Sequence, residues 1–193
     1  MIIVGNNAAG ILNKKQSLMN CVSKYLPGAL LIQESKCKRK GLIKINEYAV
    51  FEKKRKNVGG GGLLTAIHVS LEPVAVEASD DEHEVLVVEG KVGNLNVHFI
   101  NAYGPQEEET GGDPEKIDKF YRYLDLVIKE ALFSNRCICI QMDANVKLGP
   151  EVIPRDSKKQ TKNGAKLLSI VEENGLVIVN ALNLCVGTIT RAR

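Results

Sequence analysis

Tryptophan is absent from these 193 residues, and aromatic side chains make up only 5% of them. The core must therefore be built from Val, Ile, Leu and Ala, which is sufficient at a length where folding buries roughly 70% of the unfolded chain's surface. No apolar run approaches the roughly 18 residues of a membrane-spanning helix. Met1-Ile2-Ile3-Val4-Gly5 carries neither a basic n-region nor a long h-region, so no signal peptide is visible. The five cysteines (Cys21, Cys37, Cys137, Cys139 and Cys185) are odd in number and contain no CxxC pair. With three histidines and no paired ligand spacing they argue against zinc and against a disulfide framework, and are read as reduced thiols of an intracellular protein, nuclear or cytoplasmic. A GxxxxGK[ST] phosphate loop is also missing. The four glycines at 59–62 precede a strand rather than a helix, and Gly60 to Gly62 are read as permitting close backbone approach or a bulge at the strand entry.

The net charge of +3 conceals a strong asymmetry. Residues 1–60 hold 12 Lys and Arg against 3 Asp and Glu; residues 61–193 hold 14 against 20. Two basic clusters, at 36–40 and 53–56, are either grips for a phosphate backbone or solvated loops. The second is alternatively a nuclear-import signal.

Hydrophobic periodicity predicts strands at 2–6, 29–33, 48–52, 63–69 and 137–141, and a hairpin of 85–89 with 95–100 around Gly93-Asn94. Of these, 2–6, 29–33 and 137–141 read as buried, the last with Cys137 and Cys139 on one side. The acidic run 80–84 reads as a solvated loop, and 102–105 as a turn. Helices are predicted over 15–25, 116–132 and 162–174, the second with a stripe from Ile117 to Leu132 and the third closed by Asn174-Gly175. Residues 176–179 and 186–190 read as closing segments. No repeat or linker interrupts the chain, which is read as one α+β domain of stacked sheets with flanking helices.

Four apolar strands each run into a polar cluster: Gly5-Asn6-Asn7, Gln33-Glu34, Asn101-Ala102-Tyr103 and Asp143-Ala144-Asn145. Taken singly, each is also an ordinary turn, helix cap or edge aromatic. Together, strand ends along one rim of a sheet sandwich bring such residues into one place.

In order and spacing these clusters resemble motifs of the endonuclease/exonuclease/phosphatase superfamily, and more closely the apurinic-endonuclease-like domain of LINE-type (non-LTR) retrotransposons. Asn7-Ala8-Ala9-Gly10 resembles an Asn-x-x-Gly motif, and Gln33-Glu34-Ser35 a Gln-Glu-Thr/Ser motif. Asn101-Ala102-Tyr103-Gly104-Pro105 resembles Asn-x-Tyr-x-Pro, and Asp143-Ala144-Asn145 the Asp-x-Asn core of Gly-Asp-x-Asn. Asn163-Gly164 and Gly187-Thr188-Ile189-Thr190 fit the late part of the domain. Gln141-Met142 departs from the residue-plus-glycine that precedes the aspartate, and the chain stops at Arg193, before a terminal Asp-His or Asp-Tyr motif. His68, His83 and His98 do not stand where a catalytic histidine would.

The resemblance implies a four-layer α/β/β/α sandwich of two mixed sheets with its last strand or strands missing. It implies Mg²⁺- or Mn²⁺-dependent hydrolysis of a DNA phosphodiester, with a reverse transcriptase domain as partner on the same polyprotein and no membrane association. The nick would leave a 3′-hydroxyl that primes reverse transcription. Glu34 is then the metal ligand, with Asn7 as a second oxygen donor; Asp143 is the general base, Asn145 positions it or the phosphate, and Tyr103 donates its hydroxyl to the developing phosphorane. Gln106 is a weaker phosphate contact. A chain lacking the terminal motif is expected to fold marginally and cleave poorly. A non-catalytic nucleic-acid-binding domain, or another phosphodiesterase or phosphatase of the superfamily, is the alternative.

Overall fold

The computed structural model describes residues 1–37, 41–55, 61–76, 82–153 and 159–182. The stretches 38–40, 56–60, 77–81, 154–158 and 183–193 lie outside the described residues, and with them residues 38–40 of the first basic cluster, Lys56 of the second, Gly59, Gly60, Cys185 and the 187–190 motif. The chain divides into two compact units, one of residues 1–104 and 127–144, the other of 105–126 and 145–193.

Two mixed four-stranded sheets build the first unit, the sheet architecture expected. The first sheet contains β1 (Ile3–Asn7), β2 (Ala29–Gln33), β3 (Tyr48–Lys53) and β4 (Leu63–His68) in the order β1-β2-β4-β3. The second contains β5 (Val74–Ala75), β6 (Val85–Val92), β7 (Leu95–Tyr103) and β8 (Cys137–Asp143) in sequence order. Each sheet has one parallel pair, β1 with β2 and β7 with β8; the other pairs are antiparallel. Parallel neighbours end at the same rim. Asn7 therefore pairs with Gln33, and Tyr103 with Asp143, at the last rung of each ladder.

Every residue of β2 is buried, so its alternation sorts apolar contacts between two cores. Leu30 and Ile32 pack with Leu64, Ala66 and the buried face of α1 (Lys15–Tyr25), which is Leu18 and Val22. Ala29 and Leu31 face the other way, against Ile67 and against Val88, Val97 and Phe99 of the second sheet. On β7 the period of two that buries Val97 and Phe99 aims Asn101 and Tyr103 at the same inner side. Asn101, fully buried, donates to the carbonyls of Ile32 (3.2 Å) and Leu64 (3.1 Å) and to Thr65 Oγ1 (3.1 Å). Its own carbonyl accepts from Gln33 Nε2 at 2.7 Å. A polar tie thus crosses the apolar interior just below the rim.

α1 stops at Leu26, which turns left-handed (φ 44°) and donates its N–H to Val22 O, one residue before Pro27. In the second unit, α3 (Lys162–Glu173) begins at Thr161, whose side chain accepts from Gly164 N, and Asn163 is buried beside Glu107. Its side chains reach α2 (Pro114–Phe133) through Lys166–Asp118 and Asn174–Asp125.

Several expectations are corrected. β1 and β8 are edge strands among the described residues, so they are half-exposed rather than buried, and Cys137 is exposed. β7 and β8 run on to Tyr103 and Asp143, because parallel pairing extends the ladder through residues read as a turn or strand exit. Glu84, read as part of a solvated loop, is only 10% exposed and ion-paired with Arg55. On α2 the apolar stripe closes on Ala131, and Leu132 faces outward at 42% exposure. Residues 176–178 lead into a 3₁₀ turn at Val179–Ala181, while the two-residue β5 had no signal strong enough to read.

Replacing Asn101 with Leu strands the Gln33 amide and removes a bonded group from the interior. The expected loss is about 1–3 kcal/mol in urea unfolding; a neutral result would mean that the polar tie does not hold the sheets.

Candidate active site

At the shared rim the ends of β1, β2, β7 and β8 bring four predicted side chains together. Asn7 Nδ2 donates to Glu34 Oε1 at 2.9 Å and to Asp143 Oδ2 at 2.6 Å. The Tyr103 hydroxyl donates to the same Glu34 oxygen at 3.1 Å. The Asn7 carbonyl oxygen is turned away and accepts from Ala9 N at 3.1 Å. Asn7 is thus a neutral bridge between two carboxylates, with its nitrogen rather than its oxygen facing them. Lys36 Nζ stands 3.7 Å from Glu34 Oε2.

The backbone around these groups is tightly specified. Beyond the strands, Gly10 N donates to Glu34 O and Ile11 N to Ser35 O, so the segments after β1 and β2 stay zipped together. Ser35 N and Lys36 N donate to the carbonyls of Gly62 and Gly61. Ala9, Glu34 and Lys36 all have left-handed backbone (φ 47°, 49° and 51°), a conformation L-residues hold only where surrounding bonds enforce it. Gly62 has φ 86°, and a Cβ there would sit 3.1 Å from the Lys53 carbonyl oxygen. Gly62 therefore permits close backbone approach, as expected of it. Gly104 does the same: a Cβ would come within 2.7 Å of Ala144 O, next to Asp143.

Burial alone would raise the pKa of Glu34. The hydrogen bonds from Asn7 and Tyr103, with the charges of Lys36 and Arg55, outweigh it and lower the pKa, so the carboxylate stays ionised into mildly acidic solution. Arg55 grips Glu84 with two hydrogen bonds, Nε–Oε1 at 2.8 Å and Nη2–Oε2 at 2.7 Å, and its Cζ lies 5.0 Å from the centre of the Tyr103 ring. Neither residue was foreseen. Each sat in a run of like charge, and their pairing spans 29 residues. Of the other expected residues, Asn145 is half-buried, two positions past Asp143 in left-handed backbone (φ 51°), and Gln106 is exposed.

No protein-family model matches the chain, and neither does any curated protein sequence. Solved structures do match. The endonuclease domain of TRAS1, a telomere-specific non-LTR retrotransposon, superposes with TM-score 0.69 at 17% identity, over 90% of this chain and 71% of that one. The chain has the endonuclease/exonuclease/phosphatase fold. The catalytic domain of Xenopus laevis APE2 (TM-score 0.67, 19% identity, 91% of this chain and 65% of that one) shares it. So does an AP endonuclease from Archaeoglobus fulgidus (0.63, 19%, 90% and 71%). The chain thus spans about two thirds of the length of these structures.

In this fold the rim residues offer hard oxygen donors, Glu34 and Asp143. No group of three or more His, Cys, Asp or Glu side chains suited to a metal occurs among the described residues. A pair of carboxylates fits Mg²⁺, which takes one or two and fills its remaining positions with water or phosphate oxygen. Asn7 would join such a shell only by turning its amide over.

The folded-state pKa of Glu34 lies below its unfolded value. Its ionisation therefore contributes stability that is complete above the unfolded pKa and lost as pH falls through the folded one. Glu34→Gln is expected to give urea midpoints that fall less steeply with acid than the parent's. Parallel acid limbs would show that the bonds to Asn7 and Tyr103 carry no net preference for the carboxylate.

Proposed function

We propose that this chain is a metal-dependent phosphodiesterase that nicks DNA, leaving the 3′-hydroxyl from which a non-LTR retroelement primes reverse transcription. The observation that carries the reading is the convergence of Asn7 and Tyr103 on Glu34, with Asn7 also bonded to Asp143, at the rim of a fold shared with a retrotransposon endonuclease domain and AP endonucleases.

Glu34 would hold a Mg²⁺ or Mn²⁺ ion, with Asp143 beside it as the base. When bound, the ion supplies charge neutralisation at the phosphate and acidifies coordinated water. Asp143 takes the proton of the attacking water as a new P–O bond forms. Tyr103 directs its hydroxyl to a non-bridging phosphate oxygen as negative charge builds there. The P–O3′ bond breaks, and O3′ takes a proton from solvent water to leave as the 3′-hydroxyl, opposite a 5′-phosphate. Asn7 keeps the two carboxylates in fixed relation without adding charge, and Asn145 orients Asp143 or the phosphate. A reverse transcriptase domain is the partner that would extend the product. No helix among the described residues is long and apolar enough to cross a membrane. DNA rather than lipid is the substrate proposed because the structures that share the fold are a retrotransposon endonuclease domain and AP endonucleases.

A supercoiled-plasmid assay with Mg²⁺, Mn²⁺ or EDTA tests this. Nicking is expected with metal only, reduced at least about 100-fold in Glu34→Ala and in Asp143→Asn. A polymerase should extend the nick without end repair. Absence of cleavage with either metal while DNA is still bound would support the binding-domain alternative. Cleavage retained by Glu34→Ala would remove the site from the reaction.

A further inference from the structure

Tyr103 is the last residue of β7, and its hydroxyl reaches Glu34 from a ring that needs a wall behind it. That wall is Arg55, just past the end of β3. Its Nε and Nη2 are both committed to Glu84, whose Oε1 also accepts the Gly62 N–H at 2.9 Å. The carbonyl of Glu84 accepts the Tyr103 N–H at 2.9 Å. Glu84 thus holds Tyr103 twice, by its backbone directly and by its ring through Arg55. The pair is largely shielded, with side-chain exposures of 31% for Arg55 and 10% for Glu84. A Cβ on Gly61 would fall inside the space of the Arg55 guanidinium, so this glycine (φ 72°) makes room for it.

An arginine awaiting a DNA phosphate would present its fork to solvent. This one turns two donors inward to a carboxylate and holds its Cζ over an aromatic ring, a combination suited to a planar guanidinium. We propose that Arg55 is a positioning residue: locked by Glu84 and seated on Gly61, it backs the Tyr103 ring and fixes the hydroxyl on Glu34. The catalytic consequence rests on the phosphodiesterase reading given above; the structural link does not. In these terms part of the second basic cluster and part of the glycine run form one device, distinct from a DNA grip.

The test compares Arg55→Ala, Arg55→Lys, Tyr103→Phe and the Arg55→Ala/Tyr103→Phe double variant. Nicking kcat and DNA Kd are measured at two salt concentrations, alongside the Tyr103 ring carbon resonance in ¹³Cζ-tyrosine-labelled protein, assigned by Tyr103→Phe. Arg55→Ala is expected to lower kcat roughly 10- to 100-fold with little change in Kd. Lysine should not rescue it, since it keeps the charge and loses the fork. In the Tyr103→Phe background the same substitution should cost almost nothing, because Arg55 acts through Tyr103. The Tyr103 resonance should move in both Arg55 variants, and Arg55→Lys serves where Arg55→Ala does not fold. Equal costs in the two backgrounds, a loss confined to Kd with a weaker salt dependence, or an unmoved resonance would each overturn the proposal. Should the parent chain not cleave DNA, the phosphodiesterase reading fails, and the resonance alone decides whether Arg55 holds Tyr103.

Discussion

The arrangement depends on one amide. Asn101 sits at full burial between the two sheets and bonds two carbonyls and a hydroxyl of the first sheet while accepting from Gln33. Apolar packing between Leu31, Ile67, Val88 and Phe99 supplies the drive to stack the sheets but little direction, since such contacts tolerate sliding. A buried amide does not tolerate it, because any shift leaves donors and acceptors without partners in a medium that cannot replace them. The tie therefore fixes the offset between β2 and β7; Glu34 stands one residue past Gln33, just beyond the end of β2, and Tyr103 two residues past Asn101.

From that offset the rim follows by strand geometry. Parallel pairing brings Asn7 level with Gln33 and Asp143 level with Tyr103. A neutral amide then bridges two carboxylates while a phenol meets Glu34, with cationic side chains behind them. The electrostatic balance favours ionised Glu34 despite its partial burial. Left-handed backbone at Ala9, Glu34 and Lys36 shows that this geometry is imposed by the surroundings rather than preferred by the residues themselves.

Much of this was legible in the sequence. The helix 15–25 and the strand 29–33 coincide with the observed elements, because a clean 3.6-residue period and an unbroken β-branched and leucine run are strong signals. The rim residues were legible because polar groups ended apolar strands in four places. What escaped was tertiary. Glu84 and Arg55 each lay in a charge run that reads as solvated, and nothing local records that they face one another. β8 reads as buried from its Cys-Ile alternation, although edge position leaves it half-covered. The direction of the Asn7 amide depends on Ala9 N, a bond that residue type does not encode.

The bond between Asn7 and Asp143 joins positions 136 residues apart. A ribosome makes chain from the N-terminus, so β1, β2 and the glycine segment emerge long before β8 exists. Contacts of such separation are also the slowest to close, because loop entropy must be lost before they form. The rim is accordingly among the last parts of this unit to be assembled, and nascent chains carry Glu34 without its aspartate partner. The bridge between the two carboxylates is thus a property of the finished unit, available only once β8 has joined β7.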